Sequence, residues 1–342
     1  MDERKKKVLH AIIKDYIATA EPVGSRTISK KYNLGVSSAT IRNEMSDLEE
    51  SGYIEQPYTS AGRIPSDKGY RFYVDCLMEK EELVPAQLKI INRFFARRLT
   101  EIDQTVKQTC QLMSQLSNYT SLIILSKKSQ GYLERIELIQ VSLHRVLVII
   151  ITDSGFISQN VLELSQLIDP KRLRDLGAFL QKKLYHLNME QVNFTLLREI
   201  SHQMDRHKQL MDLTFELMEQ ALLSNSEEHV FLGGTLNMLN QPEFHDVEKL
   251  KVVLGTLEES DVIKNILRAK ESERTEIFIG EENDLIGINE CSIITKTYKV
   301  NGKVVGSIGI LGPTRMAYSK AVSLIEVITD HLSKFLTEMA KK

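Results

Sequence analysis

The chain has 342 residues, 42% of them apolar and 26% charged, and a formal net charge of −2 at pH 7. That length fits two or three domains, and that composition excludes a low-complexity or fibrous chain. Cys76, Cys110 and Cys291 are far apart and odd in number, which excludes a disulfide framework and points to reduced thiols. With a charged amino-terminus in place of a signal peptide, the expectation is a cytoplasmic protein. The most apolar run, Val146 to Ile151, is far too short to cross a bilayer, so no membrane is expected among its partners.

A first helix is expected from about Glu3 to Thr19, where Val8, Leu9, Ile12, Ile13, Tyr16, Ile17 and Ala20 form one stripe. Pro22 and Gly24 stop it. Arg4-Lys5-Lys6-Lys7 opposes the helix dipole in the first turn and reads as a solvated face, with phosphate contact as the alternative. A second, short helix is expected from Ser25, its N-cap, to near Tyr32, exposing Arg26, Lys30 and Lys31. Gly35 suits a tight turn, and Ser37 or Ser38 caps a third helix. In that helix Ile41, Met45 and Leu48 share one face, while Ser38, Thr40, Arg42 and Asn43 lie on other sides near its start. Arg forks onto guanine and Asn onto adenine. Arg26, Lys30, Lys31 and Arg42 against Glu44 make this stretch basic in a near-neutral chain.

Tyr53 to Gln56 reads as a short strand, and Pro57 to Gly62 as a loop with Gly62 free to adopt positive φ. Arg63 follows at the loop's base, and such a wing is expected to lay its tip along the backbone or into a minor groove, where Arg is favoured. Lys68 and Arg71 open the next helix and read as phosphate contacts or as solvated surface. Helix, turn, helix and hairpin make a winged helix-turn-helix, residues 1–80. Its expected DNA-binding residues are Arg26, Ser37, Ser38, Thr40, Arg42, Asn43, Tyr58, Ser60, Arg63 and Lys68.

A helix is expected from Ser66 to Lys80, a boundary at Glu81-Glu82 and Pro85, and one long helix from Ala86 to Ser117. A buried strand, Ser121 to Leu125, precedes three antiparallel strands at Arg135–Ser142, Val146–Thr152 and Phe156–Leu164. Helices follow at Pro170–His186 and Phe194–Leu223. In the second, Leu197, Met204, Met211 and Met218 recur every seven residues, either as a core helix or as a dimer contact. Further helices are expected at Val247–Leu257 and Ser260–Ala269, then strands at Thr275–Ile279, Ser292–Val300 and Lys303–Leu311. Asn301-Gly302 joins the last two as a two-residue hairpin turn. A helix from Ala317 to Met339 closes the chain. The fold class is α+β with a sensor-type body.

No catalytic constellation is found, so no enzyme, metal or cofactor is expected. His202 and His207 are five apart, and Gly306, Gly309 and Gly312 lie on or just after a strand, unlike a phosphate-binding loop. Glu281, Glu282 and Asp284 read as a solvated loop.

Three segments together closely resemble the bacterial heat-inducible transcription repressor HrcA family: Glu21 to Arg26, Ser38 to Met45, and Tyr58 to Arg71 with its Gly62-Arg63-Ile64-Pro65. Asp153-Ser154-Gly155, Phe231 to Gly234, and Gly302 to Met316 with its Leu311-Gly312-Pro313-Thr314-Arg315-Met316 resemble that family's body. The resemblance implies a GAF-like body over 81–342, interrupted by an inserted α/β dimerisation domain at roughly 155–230. It implies a homodimer on double-stranded DNA, at an inverted-repeat operator upstream of chaperone operons. It also implies dependence on the chaperonin GroEL, with repression lapsing when unfolded clients occupy the chaperonin. A competing reading keeps the DNA head and makes the GAF-like body a receptor for a small metabolite.

Overall fold

The computed structural model describes residues 1–96, 102–125, 131–153, 157–164, 169–188, 196, 199, 229–268, 274–283 and 288–339. Three helices open the chain: α1 (Glu3–Thr19), α2 (Ser25–Lys31) and α3 (Ser38–Glu50). Asp2 caps α1 by accepting from Lys5 N at 2.8 Å. Gly24, not Ser25, is the N-cap of α2, and it offers no side chain to the free amides. Ser37 caps α3 by accepting from Thr40 N at 3.1 Å, and Gly35 turns the chain at φ +70°. Two-residue strands β1 (Ile54–Glu55) and β2 (Ile64–Pro65) pair antiparallel.

The helix expected from Ser66 to Lys80 is shorter. It consists of α4 (Asp67–Phe72) and a π-helical turn, Tyr73–Leu77. The segment after it is not a free linker. Ser319 Oγ donates to Glu79 O at 2.8 Å and accepts from Glu81 N at 2.8 Å, and Ser323 Oγ donates to Glu81 O. The single helix expected from Ala86 to Ser117 is two, α5 (Pro85–Phe95) and α6 (Ile102–Ser117).

The body is a five-stranded antiparallel sheet in the order β7-β3-β10-β9-β8. Its strands are β3 (Thr120–Leu125), β7 (His229–Gly233), β8 (Glu276–Ile279), β9 (Cys291–Val300) and β10 (Lys303–Pro313). Asn301 and Gly302 both take positive φ between β9 and β10, as the two-residue turn requires. The chain closes with α10 (Tyr318–Met339), which packs with α5 and α6 on one face of the sheet. The other face carries α8 (Val247–Glu258) and α9 (Ser260–Arg268). Alternate residues of β3 therefore serve two cores. Ile123 and Leu125 join α6 and α10, while Leu122 and Ile124 join α8 and α9. A sheet covered on both faces reads as an unbroken apolar run.

A separate sheet holds β4 (Leu133–Ser142), β5 (Arg145–Thr152) and β6 (Ile157–Glu163) in that order, with α7 (Pro170–Leu184) across one face. β4 and β5, which precede residue 155, share this lobe with β6. The chain leaves the body sheet at Leu125 and returns at His229, and these two residues are cross-strand partners. The helix expected from Phe194 to Leu223 lies outside the described residues, apart from positions 196 and 199.

One apolar cluster runs unbroken from Val8 and Ile41, through Tyr70 and Met316, to Ile328 in α10. The amino-terminal helices and the body thus share a core.

Candidate nucleic-acid interface

Ile41, Met45 and Leu48 of α3 are buried against α1 and α2, which turns the opposite flank outward. Arg42 and Asn43 are exposed there, side by side, and Arg42 has no ion pair among the described residues. Thr40 is half-buried in the first turn, where its hydroxyl lies 3.0 Å from Ser37 Oγ. Ser38 Oγ sits 3.3 Å from Ser25 Oγ, so the starts of α2 and α3 are tied together. Neither first turn contains an acidic residue. The start of α2 has no side-chain cap, that of α3 is capped by Ser37, and the lack of a carboxylate at both leaves their positive dipole ends unopposed. Arg26 and Lys30 on α2 are also exposed and without an ion pair among the described residues. Lys31 differs, because its ammonium pairs with the buried Asp15 of α1.

The basic run at the start of α1 is mostly committed within the fold. Arg4 lies 3.4 Å from Glu44, Lys5 2.9 Å from Asp47, and Lys6 2.7 Å from Glu3. The first two pairs neutralise acids on α3, which answers the conflict with the helix dipole without a phosphate.

Between β1 and β2 the loop presents Tyr58, 62% exposed, and the exposed Ser60. Gln56 staples it from below, its Nε2 donating to Thr59 O at 2.9 Å and Ala61 O at 3.1 Å. Gly62 does not take positive φ. It is needed because a Cβ there would lie 2.6 Å from the Val23 carbonyl group. That close approach comes from paired backbones, with Val23 N donating to Arg63 O and Arg63 N to Val23 O, both at 2.9 Å.

Arg63 and Lys68 are both engaged within the fold. The Arg63 guanidinium turns inward onto Glu49 at the end of α3, Nε donating at 2.9 Å and Nη2 lying 2.7 Å from the same oxygen. Lys68 donates to Ser51 O at 2.9 Å and lies over the Tyr53 ring at 4.7 Å. Both cations brace the hairpin. Arg71 likewise turns to the body, to Glu282 and to Ile277 O. Sequence reasoning placed Lys30 on an exposed surface but did not include it with the binding residues, although its spacing from Arg26 puts both on one side of α2.

In the body, the face under α8 and α9 is filled by side chains. Leu267 packs so closely on β10 that a Cβ at Gly309 would lie 2.8 Å from it. An open groove of 780 Å³ lies elsewhere, on the lobe between β4 and α7.

Residues 103–322 match the family model described as the HrcA protein C terminal domain. The chain is 45% identical over 342 residues to the heat-inducible transcription repressor HrcA of Pelotomaculum thermopropionicum, covering 100% of this chain and 98% of that one. It is 43% identical to that of Desulforamulus reducens, covering 100% and 99%. A crystal structure described as a hypothetical protein at 2.2 Å resolution shares the fold, with a TM-score of 0.66 at 23% identity over 99% of each chain.

Proposed function

Because this chain belongs to the HrcA family of heat-inducible transcription repressors, we propose that it represses chaperone operons by setting α3 into the major groove of operator DNA. In this reading residues 1–80 act as a winged helix-turn-helix. Arg42 and Asn43 read base edges, and Ser37, Ser38 and Thr40 meet the backbone beside the start of α3. Arg26 and Lys30 contact phosphate, and Tyr58 and Ser60 lay the loop along the duplex. Arg63 and Lys68 act indirectly, by holding the hairpin in shape.

The observation that carries the reading is the pair Arg42 and Asn43. They are exposed on the outer flank of a helix whose inner flank is locked by Ile41, Met45 and Leu48.

The operator in this reading is an inverted repeat, gripped by a homodimer whose two-fold axis matches it. The lobe at 126–228 is the proposed dimerisation domain and the five-stranded sheet a GAF-like body. Chaperonin GroEL keeps the repressor in its binding form, and heat releases it by drawing the chaperonin to other clients. The test is footprinting on the chain's own chaperone-operon promoter, with and without GroEL. Protection of an inverted repeat that strengthens with GroEL is expected. Equal binding to operator and scrambled duplex under both conditions would refute the reading.

A further inference from the structure

Arg315 lies between β10 and α10, yet its guanidinium reaches the far end of α1. Nη1 donates to Ile17 O at 2.7 Å. Nε donates to Glu243 Oε1 at 2.6 Å and Nη2 to Glu243 Oε2 at 3.3 Å, with Gln241 Oε1 at 3.4 Å from Nη2. The side chain is 11% exposed, so these bonds are largely shielded from water.

The last carbonyls of a helix lack intrahelical partners, and a cation there is favoured by the dipole. α1 has no basic residue in its own last turn. Its left-handed cap, Ala20, returns its N–H to Tyr16 O. The next carbonyl, that of Ile17, is satisfied by an arginine 298 residues away. The body therefore supplies the missing C-terminal cation of α1 through a charge-assisted bond. Glu243 holds the fork in a bidentate pair that lysine cannot reproduce.

α1 packs directly on α3, and both sit in one buried cluster. Fixing the end of α1 therefore fixes the direction of α3 relative to the body. A second polar attachment of the head to the body is made by α4, where Arg71 meets Glu282 and Asp67 accepts from Glu281 N at 3.0 Å. Attachments at α1 and at α4 together oppose rotation of the head, and loosening the one at α1 eases it.

We infer that Arg315 is a positioning residue: it sets the angle at which the body presents α3, and with it the half-site spacing that a pair of heads can bridge. The inference rests on the DNA-reading function proposed above.

The test is gel-shift titration of the full chain on three kinds of duplex: one half-site, the inverted repeat at natural spacing, and inverted repeats with base pairs added or removed at the centre. The wild type is expected to prefer natural spacing by about tenfold or more, since half-site separation is a geometric requirement. Arg315→Gln is expected to reduce that preference to about threefold or less while leaving half-site affinity within about twofold, because the base-reading residues are untouched. Arg315→Lys and Glu243→Gln are expected to fall between. They carry the test if Arg315→Gln does not fold by circular dichroism. A merely structural role would lower binding to all duplexes together. Folded variants that keep the full spacing preference would overturn the inference. A wild type that binds no half-site above scrambled duplex would instead overturn the proposed function, and this inference with it.

Discussion

The Arg63 guanidinium closes on the Glu49 carboxylate, with Nη2 2.7 Å and Nε 2.9 Å from one oxygen, so the foot of the hairpin is tied to the end of α3. The pair is half-buried. Its two charge-assisted bonds outweigh the small value of an exposed ion pair. Arg63→Ala or Glu49→Gln is expected to destabilise the fold by about 1–2 kcal/mol, read as a lower urea midpoint. The double substitution is expected to cost less than the sum of the two. Operator and non-specific binding would fall together, because Glu49 engages the Arg63 guanidinium and its loss loosens the whole hairpin.

Arg42 and the α2 cations are expected to separate in their effects. Arg42→Ala should narrow the preference for operator over scrambled duplex by about 1–3 kcal/mol, the value of one bidentate base contact. Arg26→Ala or Lys30→Ala should weaken both alike, and each should reduce the slope of log K against log salt by about one. Fluorescence anisotropy across a salt series checks both outcomes.

Two glycines of the head are required for different reasons, and alanine should distinguish them. At Gly35 the space is open and only φ +70° is at issue, so Gly35→Ala is expected to cost about 1 kcal/mol. At Gly62 a Cβ would lie 2.6 Å from the Val23 backbone, which forces the paired strands apart. Gly62→Ala is expected to cost about 2–3 kcal/mol, as overpacking does. It should also raise protease cutting in the 57–61 loop. Thermal melts and limited proteolysis give the comparison.

The thiols should react in two classes. Burial pushes the Cys110 and Cys291 thiols up to about 12, with Glu290 reinforcing the second, while Cys76 is exposed. At pH 8 one thiol per chain is expected to react with a disulfide reagent, and three after denaturation. Both folded values exceed the unfolded one of 9.0. The stability they contribute is therefore complete below about pH 9 and is lost as pH rises from there toward about 12, at about 1.4 kcal/mol per thiol per pH unit. Cys110→Ser and Cys291→Ser should flatten that alkaline loss.

Much of this protein is determined by neighbours in the sequence. Apolar spacing fixes α1 and α3, Ser37 starts α3, and Asn301-Gly302 closes the last hairpin, because each depends on a few adjacent residues. Which face of α3 points outward follows from the same spacing, so Arg42 and Asn43 were legible. The fate of a long cationic side chain was not. Arg63, Lys68 and Arg71 share one short segment, and only the positions of Glu49, Ser51 and Glu282 decide that each turns inward. Sheet membership was equally hidden. β4 and β5 read as antiparallel strands from the sequence, and pairing alone assigns them to the lobe. The end of α1 is the extreme case. Its stabilising cation comes from Arg315, and no local rule joins partners brought together only by closure of the whole chain.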